Sequence, residues 1–162
     1  MGVVRAVTAL LLVLWLPGAA VAASLQDLEG NARSLDEFTG TGKWTVVMIW
    51  ASDCHVCNSE AHQYVDFHTF HQDSDARVLG ISMDGAGGID AARAFIQRHN
   101  VNFPNLIGEP AAVAKLYTEL TGVQFAGTPA FLIFDPAGAL RAQQMGAVPQ
   151  DLIAQFIAAN GR

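Results

Sequence analysis

The sequence predicts an α/β fold built around a central mixed β-sheet flanked by helices. Strand-like apolar runs lie at 44–51, 78–83 and 130–135, with helix-like segments between them. The last run is followed at once by a turn, a returning strand and a helix. Alternating strands and helices give parallel pairing through crossovers, and a terminal hairpin adds antiparallel pairing. A chain of 162 residues that is 51% hydrophobic is long and apolar enough to close one core of this kind.

Each element has a local reason. Residues 25–38 read as a short opening segment with a turn at Glu29-Gly30-Asn31. Trp44 to Ala51 is a run of β-formers, consistent with a strand buried on both faces. His55 to His71 reads as a helix and Val78 to Met83 as a second buried strand. Ile89 to His99 is a helix whose apolar side is Ala91, Ala92, Phe95 and Ile96. Phe103 to Ile107 is a short extended piece, and Pro110 to Leu120 a helix with proline in its first turn. Ala130 to Asp135 is a strand. Asp135-Pro136-Ala137-Gly138 places proline and glycine where a β-turn wants them. Leu140 to Met145 pairs back, and Pro149 to Ala159 closes the fold as a helix.

Charge and cysteine usage exclude several function classes. Nine Lys and Arg stand against fifteen Asp and Glu, for a net charge of −6. With no basic cluster, the chain is a poor partner for a phosphate backbone, and nucleic-acid binding is not expected. Two cysteines are too few for a disulfide scaffold and cannot fill a zinc site unaided.

The N-terminus reads as an export signal over residues 1–22. Arg5 precedes an apolar run from Ala6 to Leu16, Pro17-Gly18 breaks it, and Ala20-Val21-Ala22 offers an A-x-A cleavage site. The run is short for a membrane span, which needs about 20 residues; stretched to Ala23 it nears that length, so an uncleaved anchor is the alternative. Residues 23–162 then form the working domain, expected in the periplasm, where disulfides persist.

The chemistry sits in Trp50-Ala51-Ser52-Asp53-Cys54-His55-Val56-Cys57. The two cysteines are three apart, after a buried strand and at a helix start, so both sulfurs can lie within bonding distance. The first helical turn has unpaired N–H groups and the positive dipole end, which favour a thiolate on Cys54. Cys57 lies deeper and suits a resolving thiol. A metal half-site and an inert disulfide are the competing readings of a C-x-x-C.

Together with further motifs, this segment resembles the TlpA/ResA-like group of exported thioredoxin-fold thiol–disulfide oxidoreductases, over most of residues 25–158. Trp50-Ala51 before C-x-x-C, Glu60 three residues after Cys57, Gly127-Thr128-Pro129 with the next strand, and the D-P-x-G turn all match the group's pattern. Val78 to Asp84, a helix, then Phe103-Pro104 resemble its inserted strand and helix. The resemblance implies a thioredoxin fold in which Pro129 is cis beside the sulfurs and Thr128 offers its backbone to a substrate strand. It also implies a reductase of protein disulfides, serving for instance cytochrome c maturation. A membrane thiol-reducing transporter would then be the electron donor. Trp50 is grouped with Thr128 and Pro129 as a substrate-side residue that supports the site by packing. A monomer is expected, with no cofactor beyond the Cys54–Cys57 disulfide.

Four departures bear on the chemistry. Asp53 stands where an aromatic residue is common; it can cap the helix, and its carboxylate opposes a thiolate on Cys54. His55-Val56 lacks the usual proline; a protonated His55 would stabilise the thiolate, so Asp53 and His55 are the candidate tuning residues. Met48 replaces the buried acid of ordinary thioredoxin, which leaves Glu60 as the base for Cys57. Ala61-His62 follows Glu60 where proline is usual.

Histidines raise a competing class. His62, His68 and His71 share a helix with the cysteines, and soft thiolates select Cu(I) or Zn. His68 lies about 16 Å of helix rise beyond Cys57 and cannot share its ion. These histidines are expected on a hydrated helix face, and no metal site is assigned. A copper-handling protein remains the alternative, with a disulfide oxidase or isomerase as the other. A peroxidase would need an isolated reactive cysteine in a different motif.

Overall fold

The structure is a computed structural model and describes residues 25–161; the leader expected over 1–22 lies outside them. Among the described residues, seven strands, β1 (Leu25–Gln26), β2 (Ala32–Arg33), β3 (Trp44–Trp50), β4 (Ala76–Ser82), β5 (Asn105–Ile107), β6 (Ala130–Phe134) and β7 (Leu140–Met145), form one sheet in the order β2-β1-β5-β4-β3-β6-β7. Strand β3 (Trp44–Trp50) pairs in parallel with β4 (Ala76–Ser82), which pairs in parallel with β5 (Asn105–Ile107). On its other side β3 pairs antiparallel with β6 (Ala130–Phe134), and β6 with β7 (Leu140–Met145). Helices α1 (His55–His71), α2 (Ile89–Arg98), α3 (Pro110–Thr121) and α4 (Gln150–Asn160) cover the sheet. The predicted α/β class and mixed sheet are therefore present, and the elements fall within a few residues of their expected places. Among the described residues, no helix is long and apolar enough to cross a membrane.

The opening segment is more regular than its sequence suggested. Leu25–Gln26 (β1) and Ala32–Arg33 (β2) form a small hairpin, and Gln26 pairs with Ile107 at the edge of β5. Strands of two residues carry too little pattern to be read from sequence. The turn is shaped by Asp27, whose Oδ1 accepts the Glu29 and Asn31 N–H groups at 3.0 and 2.9 Å.

The core lies on both faces of the sheet, as a central strand buried along its whole length requires. Val46, Met48 and Trp50 join Tyr64 and Phe67 of α1, Phe95 of α2 and Ile153 of α4 in one cluster. Val47 and Ile49 point the other way, towards Val113 and Tyr117 of α3. Alternate residues of β3 thus serve opposite layers. Within α2, Ala92 and Phe95 are buried and Ile96 half-buried, but Ala91 is exposed. The spacing puts its methyl on the apolar side, but the helix turns that position to solvent.

His68 corrects the expectation of a hydrated histidine face. It is 5% exposed, and its Nδ1 accepts the Val78 N–H at 3.0 Å. Strand β5 meets β4 only from Gly80 onward. The Val78 N–H therefore finds no strand partner on that side, and the imidazole closes the gap. His71 packs on Phe67, with centroids 4.4 Å apart, and meets Asp75 at 2.9 Å. Of these three histidines, only His62 is on open surface.

Burial holds the His68 pKa below the ordinary 6.5, helped by the nearby Arg77 charge. The unfolded chain then takes up a proton that the folded chain refuses. Stability contributed at this residue is full above about pH 6.5 and declines as pH falls towards the lowered folded value. Denaturant midpoints are expected to drop between pH 7 and 5. H68F is expected to flatten that slope while costing about 1–3 kcal/mol at pH 8, because the Val78 N–H is left unpaired. An unchanged slope would remove His68 as its source.

Candidate active site

The site grows from the carboxyl end of β3. Trp50 ends that strand, and the chain turns through Ala51–Cys54, closed by the Cys54 N–H donating to the Ala51 C=O at 3.1 Å. Helix α1 begins at His55 with Cys54 as its N-cap. Cys54 and Cys57 form a disulfide with Cα atoms 5.2 Å apart. The Cys57 N–H also points at the Cys54 Sγ, at 3.1 Å. Cys57 is fully buried, whereas Cys54 is half-exposed. An incoming sulfur can therefore approach Cys54 and cannot approach Cys57.

Asp53 does not cap the helix. It lies one residue too early, and the Cys54 sulfur occupies the cap role instead. The Asp53 side chain is exposed, as is His55, and among the described residues neither has a hydrogen-bond partner. Their influence on Cys54 is limited to charge acting through solvent.

Trp50 is 1% exposed, so its side chain cannot touch a substrate. That part of the expectation is corrected, and its packing role is what the structure displays. The indole stacks on Phe95 at 4.2 Å and donates from Nε1 to the Asn105 Oδ1 at 3.1 Å. Gly80 makes room for that bond, since a Cβ there would run into the Asn105 carboxamide.

Pro129 reaches the same end of the sheet from the far side. The Ile49–Ala130 pairing sets the end of β3 level with the start of β6, directly after Pro129. The Thr128–Pro129 bond is cis, Pro129 is buried, and its C=O accepts the Gly146 N–H at 2.8 Å. Thr128 is half-exposed. Glu60 is half-buried one turn beyond Cys57 and accepts from the Gln63 side chain. Met48, in the position of the thioredoxin acid, is buried in the same cluster as Cys57.

Two polar groups hold the cysteine loop and escaped the sequence reading. The Asp84 carboxylate accepts the Ser52 N–H at 3.1 Å, the Ser52 hydroxyl at 2.7 Å and the Ser82 hydroxyl at 2.6 Å. Asn58 donates from Nδ2 to the Ser52 and Cys54 carbonyls at 3.0 and 2.9 Å. Their signal in sequence is weak, because nothing in spacing ties residue 84 to residue 52. Among the described residues, no group of three or more His, Cys, Asp or Glu side chains is placed to hold a metal ion.

A cystine with one part-exposed and one buried sulfur, at a strand-to-helix junction on the end of the sheet where β6 begins, is the arrangement of a thioredoxin-fold thiol–disulfide oxidoreductase. The chain belongs to the AhpC/TSA family, whose model matches residues 18–143. No curated protein matches it. A secreted disulfide oxidoreductase of Mycobacterium tuberculosis, described as homologous to E. coli DsbE, superposes with TM-score 0.66 at 22% identity, over 85% of this chain and 94% of that one. A thiol:disulfide interchange protein of the thioredoxin family from Chlorobium tepidum gives TM-score 0.68 at 15% identity, over 85% and 94%. StoA from Bacillus subtilis gives 0.64 at 16% identity, over 86% and 98%. The resemblance seen in the motifs holds at the level of fold.

Replacing the Asp84 carboxylate should free the loop. D84A is expected to lower stability by about 2 kcal/mol, since it removes hydrogen bonds to a charged acceptor and leaves the Ser52 N–H unpaired. D84N, which keeps an acceptor oxygen, should lose less. Equal denaturant midpoints in D84A and the parent chain would contradict the anchoring role.

Proposed function

We propose that this protein is an exported reductase of protein disulfides, with Cys54 as the exchanging sulfur and Cys57 as the resolving one. The observation that carries this reading is the asymmetry of the cystine: Cys54 is half-exposed at the helix start and Cys57 is sealed.

In the dithiol form, the Cys54 thiolate attacks one sulfur of a substrate disulfide. A mixed disulfide forms and the first substrate thiolate leaves. Cys57 then loses its proton and its sulfur attacks the Cys54 sulfur. The Cys54–Cys57 bond closes and the second substrate thiolate leaves. The substrate gains two electrons and two protons, and the protein becomes the disulfide seen here. Glu60 accepts the Cys57 proton, because Met48 leaves no acid at the thioredoxin position. Thr128, beside the cis Pro129, presents backbone to the substrate strand, its carbonyl and N–H pairing as in strand addition.

The reductase direction is supported by one charge beside Cys54. The Asp53 carboxylate next to it in the chain disfavours the thiolate and so favours the disulfide, which makes the dithiol a better reductant. Regeneration then requires a donor of electrons, for which a membrane thiol-reducing transporter is suited. An apocytochrome c disulfide is one substrate of the right chemistry. Export is supported by the leader reading of residues 1–22, and the Mycobacterium tuberculosis neighbour is itself described as secreted.

Trapping tests the assignment. Incubated as dithiol with a disulfide protein, C57S is expected to accumulate a mixed disulfide through Cys54, and C54S none. Trapping through Cys57 in C54S would reverse the roles. E60Q is expected to slow closure of the disulfide by roughly a hundredfold while leaving the thermal midpoint intact. An unchanged rate would remove Glu60 from the mechanism.

A further inference from the structure

The Asn58 carboxamide uses its whole hydrogen-bonding capacity. Its two Nδ2 hydrogens go to the Ser52 and Cys54 carbonyls, at 3.0 and 2.9 Å. Its Oδ1 faces the Arg98 Nη1 at 3.2 Å and the His99 Nε2 at 2.9 Å. The orientation is forced, because carbonyls only accept and a guanidinium only donates. His99 must therefore carry its hydrogen on Nε2. The Asn58 backbone N–H adds a third bond, to the Cys54 C=O at 3.0 Å.

This one side chain joins the cysteine loop to the end of α2. His99 leans on Phe95 at 4.6 Å, and Phe95 stacks on Trp50. The inserted helix thus grips both the strand end and the loop that leaves it. While the disulfide is closed, the S–S bond itself keeps Cys54 in place. On reduction that covalent restraint is lost, and the loop's hydrogen bonds alone decide where the Cys54 sulfur sits. If it stays, the Cys57 N–H and the helix start continue to stabilise a thiolate.

We propose that Asn58 is a positioning residue that clamps the Cys54 loop to α2 through His99 and Arg98, and so keeps the Cys54 sulfur over the first turn of α1 after reduction. It acts through Cys54 and touches no substrate. The proposal rests on Cys54 being the exchanging sulfur.

The test uses the reduced full chain, alkylated with limiting iodoacetamide at pH 7, with the labelled cysteine identified by mass spectrometry and thiolate absorbance followed against pH. N58A is expected to alkylate Cys54 about tenfold more slowly and to form its thiolate at higher pH, as a tenfold smaller thiolate fraction requires. H99F, which removes the nearer of the two donors to Oδ1 and leaves Arg98, should shift both readouts the same way by a smaller amount. H99Q, which can still donate, should restore them towards wild type. If N58A does not fold, H99F against H99Q decides the matter. Wild-type labelling at Cys57 first would overturn the nucleophile assignment and this proposal with it. Labelling at Cys54 first, with equal rates in wild type, N58A and H99F, would overturn the clamp alone.

Discussion

The Cys57 N–H is one of the amides that every helix start leaves without a partner, and here it points at the Cys54 sulfur, 3.1 Å away. That contact makes Cys54 both the helix cap and the reactive atom. Its consequences run outward. Helix α1 must start at His55, so the loop from Ala51 must deliver Cys54 to the cap position. Strand β3 must end at Trp50 with its indole buried, so that the loop leaves from a rigid support. The polar groups around the loop serve the same end: Asp84 takes the Ser52 N–H, and Asn58 takes the Ser52 and Cys54 carbonyls. Both anchors come from outside the loop. Residue 84 stands just past the end of β4, and residue 58 is in turn held by the end of α2.

The sheet explains why these parts meet. Parallel pairing sends the carboxyl ends of β3 and β4 to the same side, which brings Asp84 beside Ser52. Antiparallel pairing of β6 brings the residue before its start, Pro129, to that side as well. Three chain segments remote in sequence therefore converge at one end of a sheet whose core strand is buried on both faces. The same topology has a cost at the other end. Strand β5 is too short to cover β4 fully, and His68 supplies the missing acceptor from within the core. A histidine that looks like surface chemistry in the sequence is thus a structural part, its pKa lowered by burial.

Much of this was legible beforehand. Apolar runs without alternation marked β3, β4 and β6, because a strand buried on both faces shows that pattern. The C-x-x-C, the G-T-P segment and the D-P-x-G turn are local and carry their own geometry. What the sequence hid depends on contacts across distance. Asp84 and Asn58 reveal their partners only once the strands are paired. His68 was misjudged because helical spacing says which face it shares but not what covers that face. Asp53 has the side chain of a cap, but the helix starts one residue later than that role needs, and the cap is Cys54. Trp50 was placed on the substrate side although a strand end packed beneath α2 has no open surface.

The central claim is that the two sulfurs form a reversible pair whose dithiol form is poised to reduce. Titrating the Cys54–Cys57 couple against glutathione tests it most directly, with the dithiol and disulfide forms quantified by alkylation and mass. A single two-electron transition is expected, at a potential well below the glutathione couple. A potential markedly above it would contradict the reductase reading and move the protein to disulfide formation, and failure to open at any potential would contradict the redox role altogether.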